Sequence, residues 1–333
     1  MNFIDLEFPF KGIKCVKMQS AKYTCIISPS MGSSVLRLKD DENDIEVFRY
    51  DENCTAKTIN EQREVWGLPT LYLPNRFDSG VIKTSDGEYH LPVNEEKYGN
   101  FLHGWVHKRV HEIECYSTQN RKAVLVTSYI FDENDEMYKY FPVKFKISYT
   151  FTLSAKGLLQ EIYLTNNSDK ALPVSICTHT CMNAPMCIGG REEDMRLFVP
   201  IGERCELNDR NLPTEKLLPA DSRDKEYLSG KQPTLCNINN DMFTAQTGIY
   251  KEKPFYGTVI KDISNGKVIC NEVSKEFKFW NMWNDEGDKG YFCPEPMTAM
   301  INAPNLSLDN SVSGYCEITM GHTFKCWQRF FTE

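Results

Sequence analysis

Residues 143–153 alternate without a break: Val143, Phe145, Ile147, Tyr149, Phe151 and Leu153 are apolar, and Lys144, Lys146, Ser148, Thr150 and Thr152 are polar. Successive side chains of an extended strand point to opposite faces, so this segment reads as a strand with one face in a core and the other in water. Ser154-Ala-Lys-Gly157 supplies a turn into a second run, residues 158–165, and Asn166-Asn-Ser-Asp169 breaks that run before a third, residues 172–180. Short connections between them predict an antiparallel meander. Similar β-branched or aromatic runs recur at 14–18, 23–28, 34–38, 45–49, 123–131, 195–199, 256–261, 267–270, 277–283, 315–320 and 323–327. No helical period is sustained over three turns. Many short strands with turn residues between them predict an all-β chain, folded as a large antiparallel β-sandwich.

Nothing in the 333 residues marks a linker, a composition shift or a fixed repeat, so residues 1–333 read as a single domain. The irregular stretches 50–65, 184–194 and 206–234 are expected to be rim loops, which commonly carry sites. Lys and Arg number 38 against 46 Asp and Glu, a net charge of −8. Such a surface repels phosphate backbones and anionic lipid, so neither nucleic acid nor membrane is an expected partner. The N-terminal segment carries acidic residues where a signal peptide needs basic ones, which predicts a cytoplasmic protein. The thirteen cysteines are then expected to be reduced, mostly buried thiols. Cys177-Thr-His-Thr-Cys181 could set two thiols and an imidazole on one strand face, but no CxxC pair exists to complete four zinc ligands, and no metal is expected.

Four segments hold the residues best suited to chemistry. His103 lies in Asn100-Phe-Leu-His-Gly104, where the glycine permits a positive φ or a close backbone approach. His179 lies in the middle of an apolar run. Both fit a satisfied core histidine as well as an acid or base; His90, His107, His111 and His322 read as surface or structural. Glu295 stands between two prolines in Tyr291-Phe-Cys-Pro-Glu-Pro-Met-Thr298, and a carboxylate there either meets a partner, lines a cavity or sits in a solvated turn. Asn75-Arg76 closes the aromatic segment that starts at Trp66, where the guanidinium either fixes a ligand oxygen or caps a loop.

Taken in order, these segments resemble the aldose 1-epimerase (galactose mutarotase) family. The resemblance rests on Gly67-x-Pro and Asn75-Arg76, Gly87-Glu-Tyr-His-Leu-Pro-Val-Asn94, Asn100-x-Leu-His-Gly104, His179, Phe279-Trp-Asn-Met-Trp283, and the block from Phe292 through Glu295 to Asn302-Ala-Pro-Asn305. It spans most of the chain. It implies the galactose mutarotase-like supersandwich, with Glu295 as base, His179 as acid at the sugar's ring oxygen and His103 as a hydrogen-bonding partner. Asn75, Arg76 and Asp241 would hold hydroxyls, the last in an Asp-x-x-aromatic setting. Trp105 and Trp283 would be stacking walls for a sugar or else core fill. Departures are present too: Trp105 follows His103-Gly104 at once, His111 occupies a later aromatic position, and His179 is flanked by threonines and cysteines.

The chemistry implied is interconversion of α and β anomers of a free hexose. It needs one base at the C1 hydroxyl and one acid at the ring oxygen, exchanging roles on reclosure, with no cofactor. The departures keep open a carbohydrate-binding or sensing protein that has lost turnover. A hexose-6-phosphate 1-epimerase and a glycoside-processing enzyme are further alternatives, although the latter needs two flanking carboxylates and only Glu295 stands in such a setting.

Overall fold

The computed structural model describes residues 2–333, and its regular structure is strand with three short helices, Ala56–Glu61, Glu226–Ser229 and Asn310–Ser313. The alternating segment forms the strand Phe145–Ser154, whose burial alternates residue by residue. It pairs with Ala123–Phe131 on one side and, through the tight turn, with Gly157–Asn166 on the other. These lie within an eight-stranded sheet that continues through Thr323–Thr332, Val268–Val273 and Gly257–Asp262 to Met195–Phe198, antiparallel throughout. A second large sheet contains Asn239–Ala245, Phe279–Trp283, Tyr291–Met297, Ile176–Thr178 and Thr70–Tyr72 in that order. A five-stranded sheet formed by residues 3–46 is the third large one, and two-stranded ribbons make up the rest.

The large sheets close on a shared apolar core. Phe145, Ile147, Tyr149 and Phe151 from the first meet Tyr72, Ile176, Phe243 and Trp280 from the second, joined by Val16, Met18 and Cys25 of the N-terminal sheet. Buried polar groups bind the layers as well. Gln328 donates to Gln160 (2.7 Å) and accepts from the Thr178 hydroxyl (3.2 Å), while Gln160 donates to Thr70 (3.2 Å). All four residues are buried. This chain of amide and hydroxyl groups ties the first sheet to the strand that ends beside His179.

The third run departs from the expected meander. Leu172–Val174 pairs with Cys316–Ile318, and Ile176–Thr178 crosses into the second sheet, so Thr323–Thr332 takes the place beside Gly157–Asn166. The reason is in the side chains: residues 172–180 are buried at every position, so the run has no polar face to present to water and passes between layers. The stretch 206–234, read as loop, also contains the strand Pro213–Leu218 and the helix Glu226–Ser229. All thirteen cysteines are free, ten of them buried. No helix among the described residues is long and apolar enough to cross a membrane.

Replacing Gln328 by leucine strands the Gln160 carbonyl and the Thr178 hydroxyl in the core. A loss of about 1–3 kcal/mol is expected, read by denaturant unfolding as a lower midpoint at unchanged slope.

Candidate active site

Two features of the backbone bring the candidate residues together. The first is the ladder between Phe279–Trp283 and Tyr291–Met297, which sets Asn281 directly opposite Glu295. Glu295 is thereby delivered to the middle of a sheet, 2% exposed, between prolines that cannot donate to the ladder. The second is the segment after Ile176–Thr178, where the His179 and Cys181 amides donate to the carbonyls of Pro69 and Gly67 (2.9 and 3.0 Å). Gly67 has φ 70°, and a Cβ there would lie 2.0 Å from the Val35 carbonyl oxygen, so this register requires glycine. Gly104 (φ 63°) passes equally close to the Tyr72 carbonyl, fixing the turn that presents His103.

His179 Nε2 lies 3.4 Å from Glu295 Oε1, and both side chains are buried. The His103 ring stands edge to face with that of His179, centroids 5.5 Å apart, and Trp283 meets His179 on another side at 5.9 Å. These groups line a cavity of about 240 Å³ with Asn75, Arg76, Tyr98, Asn211, Asn239, Asn240, Asn281 and Glu64. Arg76 gives Nε and Nη2 to Glu95 and points Nη1 toward the side-chain oxygens of Asn75 (3.1 Å) and Asn240 (3.5 Å). Glu64 is held in the wall by His107 (2.9 Å) and Lys108 (2.8 Å).

Burial pushes the Glu295 carboxyl above its usual range, against the pull of the His179 charge and of the Asn281 amide beside it. Burial also opposes the charge on His179, but the Glu295 carboxylate and the Cys181 thiol outweigh it and hold the imidazolium up to about 9. His103 goes the other way: burial and the neighbouring His179 charge push it well below 6.5. Near neutral pH the cavity therefore holds one imidazolium and one neutral imidazole, beside a carboxyl whose basicity is raised. A base stands beside an acid, with an uncharged donor or acceptor across from them.

Of the residues singled out from sequence, Glu295, His179, His103, Arg76, Asn75 and Trp283 converge on this cavity. Two do not. Asp241 faces away, held by Arg204 (3.0 Å) and Tyr227 (3.3 Å), because the strand is irregular between Asn239 and Asp241 and Asn240 takes a left-handed φ of 55°. The amides of Asn239 and Asn240 face the cavity in its stead. Trp105 is 3% exposed and packs against Phe101, Phe131 and Phe141, so it is core and not a wall. Glu95, Asn211, Asn239 and Asn240 were not legible as site residues. Asn281 carried a signal, as a polar residue alternating in phase with Phe279 and Trp283 in an aromatic strand.

Comparison with known proteins agrees over the whole length. A family model described as aldose 1-epimerase matches residues 14–330. A galactose mutarotase-like protein from Clostridium acetobutylicum superposes with a TM-score of 0.96 at 30% identity, covering 100% of this chain and 98% of that one. Galactose 1-epimerase from Lactobacillus acidophilus shares the fold at a TM-score of 0.76 and 13% identity, covering 100% and 98%. An aldose epimerase homologue from C. elegans does so at 0.71 and 15%, covering 93% and 95%.

Nitrogen NMR of the histidine rings tests the electrostatics. At pH 7.5 His179 is expected as imidazolium and His103 as neutral imidazole. In Glu295→Gln the His179 pKa should fall from about 9, since the carboxylate that raises it is gone; an unchanged titration would contradict the pairing.

Proposed function

Because the chain belongs to the aldose 1-epimerase family, we propose that it interconverts the α and β anomers of a free hexose in the cavity around Glu295. The observation that carries this reading is the 3.4 Å contact between His179 and Glu295. In a cyclic sugar the C1 hydroxyl and the ring oxygen are attached to one carbon. The group that deprotonates the first and the group that protonates the second must therefore stand side by side, which is how this carboxylate and imidazolium stand.

In the proposed cycle Glu295 takes the C1 hydroxyl proton while His179 gives a proton from Nε2 to the ring oxygen. The C1–O5 bond breaks, leaving an open-chain aldehyde, protonated Glu295 and neutral His179. Rotation about C1–C2 presents the other carbonyl face. Reclosure returns the proton from O5 to His179 and the Glu295 proton to O1, so both groups end as they began. The raised pKa of Glu295 strengthens it as a base for a weakly acidic hydroxyl. Neutral His103 would accept or donate a hydrogen bond at the ring, Trp283 would face the sugar's C–H surface, and Asn75, Arg76, Asn239 and Asn240 would hold hydroxyls.

Charge favours a free sugar over its phosphate. Among the described residues the only Lys or Arg side chain lining the cavity is Arg76, and Glu95 already neutralises it with hydrogen bonds of 2.8–3.1 Å. A phosphate would find no uncompensated cation. The volume lies below the ~300 Å³ at which drug-sized ligand sites begin, which suits a monosaccharide. A cytoplasmic location accords with thirteen free thiols.

Polarimetry of freshly dissolved α-glucose and α-galactose is expected to show accelerated mutarotation, with hexose 6-phosphates poorer substrates. Sugar binding by calorimetry without acceleration would instead support a binding protein, and no effect on any aldose would end the proposal. Glu295→Gln and His179→Asn should each lower kcat by about 10²- to 10⁴-fold. The reaction needs ionised Glu295 and protonated His179. Activity should therefore fall on the acid side as Glu295 protonates, above the usual carboxylate range, and on the alkaline side near pH 9 as His179 loses its proton.

A further inference from the structure

Behind His179, on the side away from Glu295, lies a cluster the epimerase chemistry does not use. Cys181 Sγ is 3.4 Å from His179 Nδ1 and 3.6 Å from Cys293 Sγ. The three atoms lie within 4.8 Å of one another, and all three residues are buried. Ladder geometry explains the approach: Met182 pairs with Phe292 and Asn183 with Tyr291, so the next step of the same register opposes Cys181 to Cys293. Cys177, the other thiol of the Cys-Thr-His-Thr-Cys run, is not in the cluster; its Sγ contacts Glu295 Oε2 at 3.6 Å.

We propose that Cys181, Cys293 and the Nδ1 of His179 form a site for a soft, thiophilic d10 metal ion of the zinc class, and that its occupancy silences the acid–base pair. With zinc bonds of about 2.3 Å to sulfur and about 2.0–2.1 Å to nitrogen, a tetrahedron has S–S edges of about 3.8 Å and S–N edges of about 3.6 Å. The observed 3.6 and 3.4 Å fall within a small adjustment of these. The fourth vertex goes to water or to the Glu64 carbonyl oxygen, which Cys181 Sγ approaches at 3.5 Å. The soft donor set selects against magnesium and calcium.

The site has a route in. Cys181, Tyr291 and Cys293 form a small apolar cluster whose partly exposed neighbours are Val65 and Trp283, and both line the sugar cavity. Binding balances simply: Cys293 and His179 Nδ1, and Cys181 where it is still protonated, release their protons to solvent, and the ion takes the three lone pairs. His179 then keeps a single proton, on Nε2 facing Glu295. To give that proton to a ring oxygen it would have to become an imidazolate, so the acid step stops while the sugar cavity stays open. The silencing half of the inference rests on the assignment of His179 as the acid; the binding half does not.

Cadmium is the probe, because it shares the d10 shell and reports thiolate bonds by near-ultraviolet charge-transfer absorption. The exposed thiols Cys115, Cys236 and Cys316 are first changed to serine, and the protein is reduced and stripped of metal. Titration with Cd2+ should give the thiolate band saturating at about one equivalent. Mutarotation should fall by about 10²-fold or more and return with a chelator. Cys293→Ser and Cys181→Ser, each checked for a native-like melting transition, should lose the band, and Cys293→Ser should keep its mutarotation in Cd2+. Absence of the band, or its persistence in both variants, overturns the site; a full band with undiminished mutarotation overturns the silencing. A metal-free protein that never accelerates mutarotation counts against the epimerase reading alone, because the band still decides the site.

Discussion

A carboxylate with 2% of its surface in water is the constraint around which this molecule is arranged. Left alone, Glu295 would be neutral and inert, since removing an ion from water costs far more than a fold of this size has to spare. The imidazolium of His179 supplies the missing counter-charge at 3.4 Å. The compensation is mutual, because the carboxylate also offsets the burial that would discharge the histidine. Each group favours the charge on the other, and a pair so balanced is also one in which a proton can be moved at low cost. What keeps the two charged is what makes them an acid and a base.

That pair depends on features that have nothing to do with charge. His179 and Glu295 stand 116 positions apart in sequence and meet because Ile176–Thr178 and Tyr291–Met297 are neighbours in one sheet. The neighbours are held in depth by Thr178, whose hydroxyl reaches Gln328 of the opposite sheet. Two glycines then set the final placement: Gly67 lets the chain close on Val35 so that Pro69 can receive the His179 amide, and Gly104 turns His103 toward the cavity. Glu295 is thus carried within a strand and His179 on the segment that directly follows one, while the surrounding groups come from neighbouring strands and from loops.

How much of this was legible in the sequence follows from the range of the interactions. Alternation from Val143 to Leu153 declared its strand because one face meets water. The run from Leu172 to Thr180, buried at every position, had no such contrast, and its passage between sheets could not be read. Glu295 and His179 drew attention as polar residues in apolar company, which is a local signal. Glu95 had none: its role exists only because Arg76 folds back onto it. The Asp241 assignment failed on a single irregularity. A strand that loses register between Asn239 and Asp241 exchanges inward for outward, so Asn239 and Asn240 face the cavity while Asp241 turns to Arg204. Trp105 failed for a related reason. Two successive left-handed residues, His103 and Gly104, reverse the chain between the histidine and the indole, so one enters the cavity and the other the core.

His179 has two nitrogens with unlike neighbours, and this asymmetry joins the site to the cysteines behind it. Nε2 faces Glu295, and Nδ1 faces Cys181. Burial pushes the Cys181 thiol up, but its neighbours Cys293 and His179 bring it down to about 6, so the sulfur favours the charged form of the same imidazole that Glu295 favours. A hydrogen bond from Nδ1–H to sulfur fixes the ring plane and leaves Nε2–H as the proton available to a ligand. Sulfur in that position steadies the ring as an oxygen acceptor would. Unlike a backbone carbonyl, it can also exchange the Nδ1 proton it accepts for a bond to a soft metal, and a second sulfur stands 3.6 Å away as a further ligand. In the proposed scheme, the feature that orients the acid is therefore also the one through which the acid is withdrawn.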